Sequence, residues 1–267
     1  MRNLSPSDLN ILLVEPSAMQ RKIIIQQLQK EQVEAIDQAK NAQQALERIR
    51  AVRPDLVISA LHFDDGTGLD LLQAIRHTPE LEDLPFMLIS SETRREQLEQ
   101  FKQSGIVAIL PKPFNRKHLG NAINSTLDML TTDELELELY DVNQLRVLVV
   151  DDSRMARKVI SRVLTNLGVT NITEAPDGSD AIVLLGQQSF DLVVTDYNMP
   201  EVTGVELTEH IRRSDSYSHL PVMMVTSEAN DAHLSHVAQA GVNAIADKPF
   251  EPELVKRLLA RLLEGDD

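Results

Sequence analysis

The sequence predicts an α/β protein of two tandem domains, each a doubly wound (βα)5 unit built on a parallel sheet. Three observations point there. One pattern is written twice at constant spacing, short β-branched runs alternate with amphipathic stretches, and acidic and hydroxyl residues gather just after the runs.

The duplication is the firmest of the three. ILLVEPSAMQRKII from Ile11 reads against VLVVDDSRMARKVI from Val147, and PDLVISALHFDDGTGLDL from Pro54 against FDLVVTDYNMPEVTGVEL from Phe190. LPFMLISSE from Leu84 matches LPVMMVTSE from Leu220, and GIVAILPKPF from Gly105 matches GVNAIADKPF from Gly241. All four pairs share one offset of 136 positions, with about a third of the residues identical between Ile11 and Phe114 and their counterparts. Four blocks in register mark a duplicated domain. The expected division is a first domain over 8–130, an acidic linker or helix extension over 131–144, and a second domain over 145–265.

In the second copy the runs are Arg146–Val150, Asn171–Glu174, Leu192–Thr195, Val222–Thr226 and Ala244–Ala246. RVLVV, DLVVT and PVMMV are nearly continuous in apolar character, as strands covered on both faces must be. Between the runs lie segments of helical spacing, such as Met155, Val159, Val163 and Leu167. Strand-to-strand crossovers long enough for helices imply parallel strands with helices on both faces. In such sheets ligands bind outside the carboxyl ends of the strands, near the topological switch point.

Composition narrows the function. The chain has 267 residues, 42% hydrophobic and 25% charged, with a net charge of −15. An acidic surface repels nucleic acid and anionic membrane, and 3% aromatics with no Trp offer few stacking platforms for bases. Without Cys there are no disulfides, thiolate nucleophiles or Cys-based zinc sites. The N-terminal stretch lacks the apolar core of a signal peptide, and no run reaches the ~18 apolar residues of a membrane helix. A cytoplasmic location is the expectation.

The chemistry gathers at the run ends of the second copy. Asp151 and Asp152 follow the first run, Asp196 ends the third, Thr226 ends the fourth and Lys248 follows the fifth. Three carboxylates about 5 Å apart would repel by roughly 3 kcal/mol per pair at an effective dielectric near 20, so the cluster calls for a cation. Hard oxygen ligands without His or Cys favour Mg²⁺. A carboxylate beside that ion can act as a nucleophile towards phosphorus, with Thr226 and Lys248 serving the phosphoryl oxygens.

VLVVDDS, DLVVTDYNMPEVTG, MMVTSE and DKPF together resemble the receiver domain of two-component response regulators, over about Leu145 to Leu263. The resemblance implies a receiver (flavodoxin-like) fold and phosphorylation of Asp196 by a histidine kinase or histidine phosphotransfer protein. It implies Mg²⁺ on Asp152, Asp196 and the main-chain carbonyl of Asn198, with Asp151 assisting through water. Thr226 and Lys248 would contact the phosphoryl group, the Lys248–Pro249 peptide would be cis, and Gly204 would open the loop after the acceptor strand. Ile245 departs from the family, which carries Tyr or Phe there as a switch residue.

Carried back by 136 positions, the site becomes Glu15, Pro16, Ala60, Ser90 and Lys112. A methyl group cannot accept phosphate and Pro16 has no side-chain oxygen, so this copy reads as a pseudo-receiver in which Lys112 pairs with Glu15. Asp64 and Asp65 lie too far past the strand end to substitute. Charge separates the halves as well: residues 1–130 hold 15 basic and 17 acidic side chains, a net of −2, and residues 131–267 hold 11 and 24, a net of −13.

The function expected is a response regulator of a two-component phosphorelay without an effector domain, signalling through an unidentified downstream protein. Alternatives are a phosphate sink or relay intermediate, or a structural adaptor; an Asp-based phosphatase is disfavoured because Asn198 stands where a second acid is needed. His233 and His236, three apart, are too few for a metal site. Met19, Met155, Met223 and Met224 read as core.

Overall fold

A computed structural model describes residues 4–91, 95–114, 116–131, 141–227, 237 and 239–264. The chain divides into two compact units, Met1–Thr131 and Thr132–Asp267. The first carries β1 (Asn10–Val14), α1 (Ala18–Lys30), β2 (Ala35–Ala39), α2 (Ala42–Ala51) and β3 (Leu56–Ala60). It continues through β4 (His62–Phe63), β5 (Gly66–Thr67), α3 (Gly68–Arg76), β6 (Phe86–Ser90), α4 (Arg95–Gln103), β7 (Ala108–Pro111) and α5 (Arg116–Leu130). The second carries β8 (Arg146–Val150), α6 (Arg154–Asn166), β9 (Asn171–Ala175), α7 (Gly178–Gln187) and β10 (Leu192–Asp196). After it come α8 (Gly204–Arg213), β11 (Val222–Thr226), β12 (Ala244–Asp247) and α9 (Pro252–Glu264).

Each unit holds one five-stranded sheet, ordered β2-β1-β3-β6-β7 in the first and β12-β11-β10-β8-β9 in the second. Every neighbouring pair is parallel. The order reverses beside the first strand of each unit, which is the doubly wound topology, and its switch point lies between β1 and β3, or β8 and β10.

The apolar runs are continuous because alternate residues of one strand enter different cores. In β8, Val147 and Val149 pack with Ile160 and Val163 of α6 and Leu259 of α9. Leu148 and Val150 pack on the other face with Ala181 of α7 and Leu207 of α8. The first unit repeats the scheme: Ile11 and Leu13 face Ile24 and Ile123, whereas Leu12 and Val14 face Ile49 and Leu71. Helix starts are fixed by side-chain caps. Ser17 and Ser153 accept from the main chain of Gln20 and Ala156, and Thr67–Asp70 and Thr203–Glu206 form reciprocal capping boxes.

Two features differ from the sequence reading. The loop after β3 closes as a two-stranded antiparallel ribbon, with His62 opposite Thr67 and Phe63 opposite Gly66. Met19 is not core but 75% exposed, because the buried stripe of α1 runs through Ile24 and Leu28; Met223 and Met224 are buried as expected. Residues 132–140 of the acidic connector, and His233 and His236, lie outside the described residues. Among the described residues no helix is long and apolar enough to cross a membrane.

Candidate phosphoacceptor site

The carboxyl ends of β8 and β10 place three carboxylates together. Oxygens of Asp151, Asp152 and Asp196 all lie within 4.8 Å of one another, with Asp151 and Asp196 buried and Asp152 exposed. Lys248, just past β12, reaches into the cluster, its Nζ 2.7 Å from Asp151 Oδ2 and 2.8 Å from Asp196 Oδ1. The other oxygen of Asp151 accepts from the Ser153 main chain at 2.9 Å, which fixes the carboxylate at the start of α6. Arg157 of α6 donates to the Asp151 carbonyl at 2.6 Å.

Thr226, buried at the end of β11, is tied to the same edge, because its carbonyl accepts from the Lys248 main chain at 2.8 Å. The Lys248–Pro249 peptide is cis. Asn198 stands exposed two residues beyond Asp196, in the loop that Gly204 closes by donating to the Tyr197 carbonyl at 3.1 Å. Ile245 is half-buried in a small cluster with Tyr197, Val205 and Met224.

Three carboxylates against one ammonium leave surplus negative charge in a buried place. Burial pushes the Asp196 carboxyl up to about 6, with Asp151 and Asp152 adding to the rise and Lys248 opposing it. Burial raises Asp151 as well. For Lys248, burial acts downward but is outweighed by Asp196 and Asp151, so its pKa rises. Among the described residues Asp196 Oδ2 is buried and accepts no hydrogen bond. An unsatisfied buried carboxylate oxygen facing further acids fits a divalent cation with oxygen ligands.

In the first unit the equivalent edge holds less. Glu15 repeats both contacts of Asp151: its Oε1 accepts from the Ser17 main chain at 3.0 Å and its Oε2 from Lys112 Nζ at 3.1 Å. Ala60 ends β3, Ser90 ends β6, and Pro16 stands beside Glu15. Asp65 is engaged elsewhere, accepting from the main chain of Ala42 and Gln43 at 3.1 and 3.0 Å as a cap on α2.

Sequence reasoning missed a pair of arginines at the ends of α3 and α8. Arg76 donates to the carbonyls of Leu84, Ser104 and Gly105, and burial lowers its pKa to about 10. Arg212 donates to the carbonyls of Ser218, Leu220 and Gly241 and to Asn243 Oδ1. Their recurrence at the repeat spacing was the available signal.

A doubly wound sheet with a buried aspartate, further acids and a lysine at the carboxyl edge is the arrangement of a signal-receiver class of domain. The match to the family described as the response regulator receiver domain covers residues 11–124 and 147–260, and the chain belongs to that family as a tandem of two receiver domains. Chemotaxis protein CheY of Pseudomonas aeruginosa is 41% identical over 120 residues, covering 45% of this chain and 97% of that protein. Chemotaxis protein CheY-3 of Vibrio cholerae is 40% identical over 120 residues, 45% of this chain and 92% of its own length. The solved structure of the Vibrio cholerae chemotaxis protein CheY4 is 32% identical, covering 45% of this chain and 98% of that one, at a TM-score of 0.42.

Proposed function

We propose that Asp196 accepts a phosphoryl group from a histidine kinase or histidine phosphotransfer protein, and that the first domain, a pseudo-receiver, does not. The bond from the donor's imidazole nitrogen to phosphorus breaks as a bond from an Asp196 oxygen forms. The observation that carries this reading is the state of Asp196: one oxygen is paired with Lys248, and the other is buried without a partner among the described residues. Lys248 exchanges its contact with Asp196 for the incoming phosphoryl oxygens, while Asp151 keeps it in place. Thr226 offers its hydroxyl to the same oxygens. Asp152, Asp196 and the Asn198 carbonyl, with Asp151 through water, would hold Mg²⁺, which supplies positive charge against the phosphoryl oxygens.

Output is by contact with a downstream protein, in the division 8–130, 131–144 and 145–265. Supporting this, the matched 120-residue stretch covers 97% of the Pseudomonas relative, whose length leaves room for little beyond one receiver domain. The test is incubation of the full chain with Mg²⁺ and acetyl phosphate, followed by intact-mass measurement. A single adduct that maps to Asp196 supports the regulator. Continuous release of phosphate without an adduct points to a phosphatase, and no reaction to an adaptor.

A further inference from the structure

The carboxyl edge of the first domain holds a cavity of about 260 Å³, lined among others by Glu15, Ala60, His62, Ser90, Ser91 and Lys112. A water occupies about 30 Å³ of liquid, so the space takes an ion larger than a water with solvent to spare. Its electrostatics differ from those of the second domain. There, Asp151, Asp152 and Asp196 face one ammonium, a balance of −2. Here, among the described residues, one carboxylate faces one ammonium, and the two cancel.

The lysines differ accordingly. Lys248 is held by two carboxylates and its side chain is 4% exposed, whereas Lys112 is held by one and is 28% exposed. Both oxygens of Glu15 are already engaged, by Ser17 and Lys112. Ala60 presents a methyl where the second domain presents the Asp196 carboxylate, so among the described lining residues Glu15 alone carries a negative charge. A site of this kind no longer calls for a divalent cation. Its ammonium, serine hydroxyls and imidazole N–H are donors that match an oxyanion.

We propose that this cavity binds a small phosphate-type oxyanion, non-covalently and without metal, with Lys112 as its charged anchor. The proposal rests on the reading that Ala60 leaves the first domain without covalent chemistry. Inorganic phosphate is the probe. The full chain carrying Asp196→Asn, in EDTA and at constant ionic strength, is titrated while the amide resonances of Ser90, Ser91, Lys112, Thr226 and Lys248 are followed.

The expected result is a saturable shift at Ser90, Ser91 and Lys112 with none at Thr226 or Lys248. Adding Lys112→Met should weaken it at least tenfold, and Ala60→Asp, which restores the missing carboxylate without removing the lysine, should do the same. Absence of a shift, or a shift indifferent to both substitutions, overturns the proposal. The reading beneath it is tested separately: acetyl phosphate and Mg²⁺ must leave the Asp196→Asn chain without a covalent adduct. An adduct in the first domain would overturn that reading, whereas no adduct and no phosphate binding would overturn the cavity proposal alone.

Discussion

A Cβ at Gly204 would lie 2.1 Å from the carbonyl oxygen of Asp196. The first turn of α8 is thus pressed against the main chain of Asp196, and only hydrogen fits between them. The same approach recurs at Gly68, where a Cβ would lie 2.4 Å from the Ala60 carbonyl. Backbone cannot give way as a flexible side chain can, so Gly204→Ala should displace α8 or the acceptor loop. A destabilisation of about 1–3 kcal/mol is expected from overpacking, read as a lower urea midpoint for the second domain.

Metal-free Asp196→Asn should be more stable than wild type at neutral pH. The folded-state pKa of about 6 exceeds the ordinary 3.8, so the native state binds this proton more tightly and its stability falls as pH rises between those values. Removing the charge should raise the second-domain melting temperature in EDTA by several degrees at pH 7, with the gain shrinking towards pH 4. Mg²⁺ should reverse the order by stabilising the wild type through mass action. Equal melting temperatures in EDTA at pH 7 would contradict the surplus-charge account.

Arg212→Ala should cost the second domain about 1–3 kcal/mol, since it withdraws donors from three carbonyls and from Asn243. Arg76→Ala should do the same in the first domain. Urea unfolding of the full chain checks both, and each substitution should lower the midpoint of its own domain and leave the other unmoved.

The Arg146–Asp191 pair should shape the acid limb of stability. Hydrogen bonds from Arg146 hold the Asp191 carboxyl below its ordinary value, at distances of 2.8 and 2.9 Å. A depressed folded-state pKa contributes stability above 3.8 that disappears as pH falls through the folded value. Arg146→Gln should therefore lower stability at pH 6, and the difference from wild type should shrink as pH falls below 3.8. Because the pair is part-exposed, the loss should be small and shrink further in salt.

The strand ends were legible because burial on both faces forces long apolar runs, and the chemistry had to follow them. Asp151, Asp152, Asp196, Thr226 and Lys248 could therefore be placed on one edge before any coordinates. Features that depend on loop path were hidden. The distance of FDDG from the strand end removed Asp65 from the site, but nothing in it foretold that Asp65 caps α2. Nor does the pattern MQRKIII say which of its apolar residues lies outside the buried stripe, although Met19 does. The staples at Arg76 and Arg212 join a helix end to two loops, a relation the helical spacing does not carry and only their recurrence 136 positions apart signals.

The central claim is that chemistry resides in one copy and at one residue. The most direct measurement is the intact mass of the full chain, and of its Asp196→Ala variant, after incubation with Mg²⁺ and acetyl phosphate. The account predicts one phosphoryl adduct on the wild type, released at alkaline pH as an acyl phosphate is, and none on the variant. Two adducts on the wild type, or one persisting in Asp196→Ala, would contradict it.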